Sequence, residues 1–276
     1  MSWHGRLALH YRREGERTTA LDRHHGPLRV LQRLYPEGPG ICHHVLVHPP
    51  GGMVGGDRLE IEATLEAGAH ALVTTPSATR YYRSTGAPAS QQALLRVAAG
   101  ARLEWLPLET LAYRGCHAHN GVQLHLAPGA EAMGWDVLAL GLPAAGRPFD
   151  SGRFHQHLEL SGVWLERGTI DATDRLLLDS PLGLAGHRVL ATMWWAEGDA
   201  LAPARRQALL DSAREVLAAS PLQRTAGATA PQPRVVVVRL LAHGVEPAMH
   251  CLTAVRAAWR QQAWSLAAEP PRIWRL

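Results

Sequence analysis

A Gly-Ala turn recurs along the first two-thirds of this 276-residue chain. In each occurrence one alternating segment ends, the chain turns at glycine and a new segment begins, as in LEAGAHALV, VAAGARLEWL and LAPGAEAMGW. The glycines are Gly68, Gly100 and Gly129, with a weaker fourth at Gly162, so the spacings are 32, 29 and 33 residues. Turns at this regular interval indicate stacked β-layers or a solenoid, whose units bury their apolar faces against their neighbours. A meander of hairpins of similar length is the alternative.

The segments between the turns alternate apolar and polar residues, which is typical of strands with one buried face. The alternation is clearest at 59–65, 122–126, 154–160 and 163–167. These segments predict a mainly β fold with layered, solenoid-like or sandwich-like strands.

Helical patterns appear only after residue 200. Apolar residues three or four apart predict one helix that starts at Pro203 and stops before Pro221, and another that follows Pro247 and reaches Trp264. We therefore expect two α-helices in the C-terminal third.

Two short segments separate the predicted helices. The β-branched run RVVVVRLL at 234–241 predicts a strand buried on both faces, whereas TAGATAPQP at 225–233 predicts a loop. We interpret 1–276 as a single domain, β-rich over 1–195 and helix-strand-helix over about 200–276.

Composition excludes several function classes. All 28 basic residues are arginine, so a Schiff-base lysine and the lysine of a phosphate-binding Walker loop are both absent. The formal charge is only +4 and no basic run occurs, which argues against nucleic-acid binding. No apolar run approaches the roughly 20 residues that span a bilayer, and the N-terminus lacks a signal-peptide core. The three dispersed cysteines fit a reducing compartment, so we expect a cytoplasmic protein that binds neither membranes nor nucleic acid.

A glycine-rich stretch, HPPGGMVGGDRLEIE, occupies 48–62. A dinucleotide site would require these glycines to follow a strand and open a helix, but two prolines precede them and a strand-like segment follows. A tight turn that uses Gly51, Gly52, Gly55 and Gly56 is the favoured interpretation. It leaves Asp57 as a carboxylate beside the turn.

Histidines are the remaining candidates for chemistry, since the chain contains 16 of them. Residues two apart on a strand share a face, so His117 with His119, or His155 with His157, could chelate a metal. No HExxH motif or closed Cys/His zinc set occurs, and solvent-facing histidines are the commoner explanation. A metal-using β-fold enzyme built on these pairs is the alternative function.

Five ordered blocks closely resemble the UreD family of urease accessory proteins, called UreH in some systems. They are HHGPLRVLQRLYPEGPGICHHVLVHPPGGMVGGDRL (24–59), TTPSATRYYRS (74–84), EWLPLETLAYRG (104–115), LAPGAEAMGWDVLALG (126–141) and PRIW (271–274). The resemblance implies a mainly β, two-layered, non-catalytic scaffold. Members act with UreF and the GTPase UreG on apo-urease and help nickel reach its active site. The implied cofactor state is transient nickel, with none stably bound.

The resemblance also implies an internal passage for nickel. We assign Asp57, His48, Glu109 and Asp136 to this passage, because carboxylate and imidazole groups can hold Ni²⁺ briefly. The alternative for Asp57 is a structural cap that bonds backbone amides of the turn.

Three tryptophans near the C-terminus are candidates for the surface that binds UreF. Trp259, Trp264 and Trp274 are large rings in a short segment, and aromatic residues dominate interface energetics. The alternative is that all three pack in the core.

Overall fold

The computed structural model describes residues 2–275, in which two β-sheets lie face to face. The helices are α1 (Arg175–Asp179), α2 (Pro203–Ala219) and α3 (Val245–Trp264). The strands in chain order are β1 (His4–Glu14), β2 (Arg17–His25), β3 (Arg29–Val30), β4 (Ile41–Val47), β5 (Arg58–Leu65), β6 (His70–Thr74), β7 (Thr79–Tyr81), β8 (Ala89–Val97), β9 (Arg102–Leu106), β10 (Thr110–Ala112), β11 (Cys116–Leu126), β12 (Glu131–Leu142), β13 (Arg147–Pro148), β14 (Gly152–Leu160), β15 (Trp164–Asp171), β16 (Val189–Glu197), β17 (Ala226–Gln232) and β18 (Val235–Ala242).

The first sheet has seven strands in the order β15-β14-β11-β8-β5-β1-β2. The second sheet has eleven, with β17-β18-β16-β12-β9-β6-β4-β3 in line and β7, β10 and β13 paired off that line. The central strands run parallel, from β1 through β5, β8 and β11 to β14 in one sheet and from β4 through β6 and β9 to β12 in the other.

The Gly-Ala turns connect the two sheets. The turn at Gly68 joins β5 to β6, the turn at Gly100 joins β8 to β9, and the turn at Gly129 joins β11 to β12. All three glycines have φ near +70°. The turns stack, because the Gly100 N–H donates to the Gly129 carbonyl at 3.0 Å. The predicted solenoid-like repeat is therefore confirmed. Gly162 differs, since it joins β14 to β15 as an antiparallel hairpin within one sheet.

Antiparallel strands flank the parallel coils. β2 pairs with β1 at one end, and β16, β18 and β17 extend the second sheet at the other end. The predicted strands and the two late helices are all present, so the expected mainly β architecture is confirmed.

Two elements differ from the sequence-based expectation. The segment 225–233, expected to be a loop, contains β17, which lies at the edge of its sheet and has a register shift near Thr229. An edge position tolerates the proline and small residues that make this segment look like a loop. Helix α1 was not predicted because five residues show no periodicity. Its first turn is capped by the Asp174 carboxylate, which accepts from the Leu177 N–H.

Two hydrophobic cores result. One fills the space between the sheets, and the other lies between the outer face of the second sheet and helices α2 and α3. In the second core Trp195 and Trp259 meet edge to face with ring centroids 6.2 Å apart. Apolar burial stabilises both cores, by about 1.5–3 kcal/mol for each large aliphatic or phenyl side chain that is fully buried.

A buried ion network connects α3 to the second sheet. Arg256 and Arg260 of α3 are both fully buried, and both contact the Glu104 carboxylate, at 2.9 and 3.1 Å. His70 approaches the same carboxylate at 3.3 Å, and Arg260 also pairs with Glu37. Burial alone would raise the pKa of Glu104, but Arg256, His70 and Arg260 lower it to about 2. The carboxylate is therefore ionised throughout the neutral range.

The three cysteines, all within residues 2–275, are buried and free. Across the same residues, no helix combines the length and apolar character that crossing a bilayer requires.

Candidate functional site

A ladder of side-chain amides crosses the interior face of the first sheet. Gln91 on β8, Asn120 on β11 and Gln156 on β14 are direct cross-strand neighbours. The Gln91 Nε2 donates to the Asn120 Oδ1 at 3.4 Å. Three polar side chains at one level of an apolar core are unusual, because each buried polar group requires a hydrogen-bond partner. We call these three residues the amide ladder.

Asp136 on β12 faces the amide ladder from the opposite sheet. Its Oδ2 accepts from the Asn120 Nδ2 at 2.8 Å and its Oδ1 accepts from the Gln156 Nε2 at 2.7 Å. Burial raises the pKa of Asp136 to about 6, opposed by the bond from Gln156 and reinforced by the charge of Glu166. A carboxylate is thus held ionised near neutral pH in a place where its charge is costly.

The polar row continues across the second sheet toward solvent. Asp136, Thr192 and Arg239 are cross-strand neighbours on β12, β16 and β18. Glu166 on β15 reaches over from the first sheet, where it accepts from the Thr192 hydroxyl at 2.7 Å and from the Arg239 Nε at 2.6 Å. The Glu166 side chain is 24% exposed, so this end of the row opens to water.

A small cavity of about 80 Å³ lies at the other end of the row. Gln91 lines it, together with His48, Thr74 and Trp105. The His48 Nε2 is buried and lacks a hydrogen-bond partner among the described residues. Burial lowers the pKa of His48, with the charge of Asp57 opposing, so its ring is neutral at pH 7 and can act as a ligand. One line of polar groups thus lies between the sheets, and we call it the polar line. It consists of the cavity with His48, the amide ladder, Asp136 and Glu166.

The glycine-rich turn closes the cavity from one side. Gly51 and Gly56 have positive φ values of 77° and 87°, and a Cβ at Gly52 would lie 2.2 Å from the Tyr82 ring. Asp57 is buried, and its two carboxylate oxygens accept the backbone N–H groups of Trp3 and Val54 at 2.8 and 2.9 Å. This geometry matches the cap interpretation of Asp57, since both oxygens are held by the backbone.

Glu109 lies next to the cavity wall. Its side chain is half-buried, and its backbone carbonyl accepts from the N–H of Thr79, which lines the cavity. Of the four residues assigned to the passage from sequence, His48 and Asp136 belong to the polar line itself.

The three tryptophans occupy different environments. Trp259 is fully buried, with its Nε1 donating to the Leu209 carbonyl, and Trp264 is 6% exposed. Trp274 is half-buried, lies 5.2 Å from the Trp135 ring and donates to the Thr74 hydroxyl at 2.8 Å. A partner docking onto this structure would reach Trp274, whereas the other two rings are occupied by core contacts.

The two candidate histidine pairs within single strands each contribute one member to a pair across strands. His119 and His155, on neighbouring strands, have ring centroids 5.3 Å apart, while His157 bonds Glu159 at 2.8 Å. Among residues 2–275 no group of three or more His, Cys, Asp or Glu side chains is arranged to hold a metal.

The amide ladder was not predicted from the sequence, although the repeat contains a signal for it. Gln91 and Asn120 each lie nine residues before a turn glycine, Gly100 and Gly129, so equivalent positions of successive coils carry an amide. Glu166 carries no comparable signal because it follows the last coil.

Similar proteins are known. A family profile described as UreD urease accessory protein matches residues 4–275. The protein named urease accessory protein UreD from Leptothrix cholodnii is 63% identical over 277 residues, which cover the whole of both chains. The protein of the same name from Paracidovorax citrulli is 62% identical over 274 residues, which cover 99% of both chains. The one from Methylibium petroleiphilum is 56% identical over 295 residues, which cover the whole of both chains.

The match extends over both sheets, both late helices and every residue of the polar line. On this basis, the chain belongs to the UreD family of urease accessory proteins.

Proposed function

We propose that this protein is a non-catalytic maturation factor that binds apo-urease with UreF and UreG and passes nickel between its two sheets toward the urease active site. The observation that carries the nickel route is the polar line from His48 through the amide ladder and Asp136 to Glu166. A route needs groups that bind Ni²⁺ weakly and in sequence, because a complete ligand set would trap the ion.

The chemistry of the line suits such transfer. His48 offers an imidazole nitrogen at the cavity that has no hydrogen-bond partner among residues 2–275, and Asp136 offers a carboxylate that accepts hydrogen bonds from two side-chain amides. Rotation of those amides by half a turn replaces NH₂ donors by oxygen acceptors. An arriving cation would thereby gain oxygen ligands from Asn120 and Gln156 without backbone movement.

Asp57 and Glu109 have supporting places in this proposal. Asp57 fixes the glycine-rich turn beside His48, and the Glu109 carbonyl positions the cavity wall through Thr79. The scaffold role is supported by family membership and by Leu176 and Leu182, which are 78% and 99% exposed on the segment around α1. Partner assembly and nickel transfer are proposed to occur in the cytoplasm.

Replacing Asp136 by Asn tests the nickel route. The variant keeps the side-chain shape but removes the charge, so it should still assemble with UreF, UreG and apo-urease. We expect urease activation at limiting Ni²⁺ to fall about tenfold or more, with partial rescue by excess metal, because one charged ligand is lost. Asp211→Asn, the same change at an exposed position on α2, is the matched control.

The stability of Asp136→Asn provides a second readout. The folded-state pKa of about 6 lies above the ordinary value of 3.8, so ionised Asp136 destabilises the fold at pH 7 and this penalty disappears as the pH falls from 6 toward 4. The variant should therefore be as stable as wild type or more stable at pH 7. Normal activation by a fully assembled Asp136→Asn protein would refute the route.

A further inference from the structure

Two histidines lie side by side on the outer face of the first sheet, away from the polar line. His119 on β11 and His155 on β14 are direct cross-strand neighbours, and their rings are tilted by 50° with centroids 5.3 Å apart. His119 is exposed and His155 is half-buried. Both rings are therefore accessible from solvent, and neither faces the interior between the sheets.

The ring separation fits two imidazoles that share one metal ion. With metal–nitrogen bonds of about 2.1 Å, each ring centre lies about 3.2 Å from the ion, so ligand angles of about 90–110° give centroid separations of about 4.5–5.2 Å. The observed 5.3 Å requires only a small side-chain adjustment.

A third residue forms a hydrogen bond with one of the two rings. The His155 Nδ1 lies 2.9 Å from the hydroxyl of Thr169, its cross-strand neighbour on β15. In the tautomer with its proton on Nδ1, His155 donates to this hydroxyl and its Nε2 is free to bind a metal, as in metal sites whose second ring N–H has a hydrogen-bond partner. Burial and the neighbouring His119 lower the pKa of His155, so the neutral imidazole predominates at pH 7.

We propose that His119 and His155 form a two-imidazole site for a late first-row divalent cation such as Ni²⁺, with water in the remaining coordination positions. Imidazole suits Ni²⁺, Cu²⁺ and Zn²⁺, whereas Mg²⁺ and Ca²⁺ require oxygen ligands. Two protein ligands give a weak, exchangeable site. The site is independent of the interior route, because its ligands lie on the opposite face of the sheet.

Equilibrium dialysis of the purified full-length chain against NiCl₂ tests the site. Wild type should bind one Ni²⁺ equivalent that His119→Ala and His155→Ala each lose, with the affinity at this site falling at least tenfold. Thr169→Val should keep the equivalent but weaken it about tenfold, as expected for a residue that orients a ligand. MgCl₂ at the same concentration should neither bind there nor displace Ni²⁺.

His125→Ala is the matched control, because His125 is an exposed histidine on the same face of β11. It should bind nickel like wild type. Circular dichroism verifies that each variant is folded. Unchanged nickel binding in His119→Ala and His155→Ala would overturn the site, as would equal losses in His125→Ala.

Discussion

Glu104→Gln removes the one charge that two buried arginines of α3 share. Glutamine keeps the shape of the side chain, but it removes the carboxylate from Arg256 and leaves Arg260 paired with Glu37, in a region where the side chains at 104, 256 and 260 are fully buried. The Arg256 Nη2 and the Arg260 Nε already lack partners within the described chain, so no spare acceptor compensates for the loss.

Two independent estimates give a similar loss of folding stability for Glu104→Gln. Removing one partner of a buried ion pair typically costs about 3–5 kcal/mol. Independently, lowering the pKa of Glu104 from 4.5 to about 2 corresponds to about 3 kcal/mol of stabilisation, at about 1.4 kcal/mol per unit. We expect the free energy of unfolding to fall by about 3 kcal/mol at pH 7.

Urea unfolding followed by tryptophan fluorescence measures this difference, and its pH dependence tests the cause. The folded-state pKa lies below the unfolded value, so the stabilisation is complete above about pH 5 and declines as the pH falls toward 2. The gap between wild type and Glu104→Gln should therefore shrink by about 1 kcal/mol between pH 7 and pH 3.5.

Glu62→Gln is the control, since Glu62 is 58% exposed and lies 4.0 Å from Arg96. It should change stability by less than about 0.5 kcal/mol. A loss below 1 kcal/mol in Glu104→Gln, or a gap that does not depend on pH, would refute the role assigned to the network.

Three further predictions concern core packing, the tryptophan near the C-terminus and the turns. Trp259→Ala should cost about 3–5 kcal/mol in thermal or urea unfolding because it empties a fully buried site. Trp274→Ala should cost less, about 2 kcal/mol, because the lost ring is half-buried against Trp135 and donates one hydrogen bond. It should also weaken UreF pull-down, and full UreF capture would contradict the proposed interface. Gly100→Ala should lower the free energy of unfolding by about 1 kcal/mol, because Gly100 has a φ of +68°. Gly168→Ala should be neutral, because Gly168 has no positive φ and open space at its Cβ. Equal effects of the two substitutions would contradict the argument from turn geometry.

The coils could be predicted because their signals are local. Strand alternation and a turn glycine occupy neighbouring residues, so the stacked turns at Gly68, Gly100 and Gly129 are visible in the sequence. β17 was missed for the opposite reason. Its sequence has low strand propensity, and only pairing with β18 makes it a strand.

The site depends on contacts between distant residues. Asp136 meets Asn120 and Gln156, 16 and 20 residues away, from the opposite sheet, and Glu166 reaches Arg239 across 73 residues. Similarly, the pairing of His119 with His155 is not visible in the sequence, because the parallel register of β11 and β14 places His155 opposite His119. Register between parallel strands is set by the whole coil, so no short window of sequence contains it.

Each coil contributes one residue to the amide ladder, so the length of the ladder depends on the number of coils. Gln91, Asn120 and Gln156 come from three adjacent parallel strands, each supplied by a separate turn of the chain. Neighbouring strands lie about 4.8 Å apart, so each additional coil lengthens the interior line by that distance. A relative with one coil more or fewer would carry an amide ladder one residue longer or shorter, whereas insertions in the surface loops would leave its length unchanged. The length of the ladder would then evolve in discrete steps.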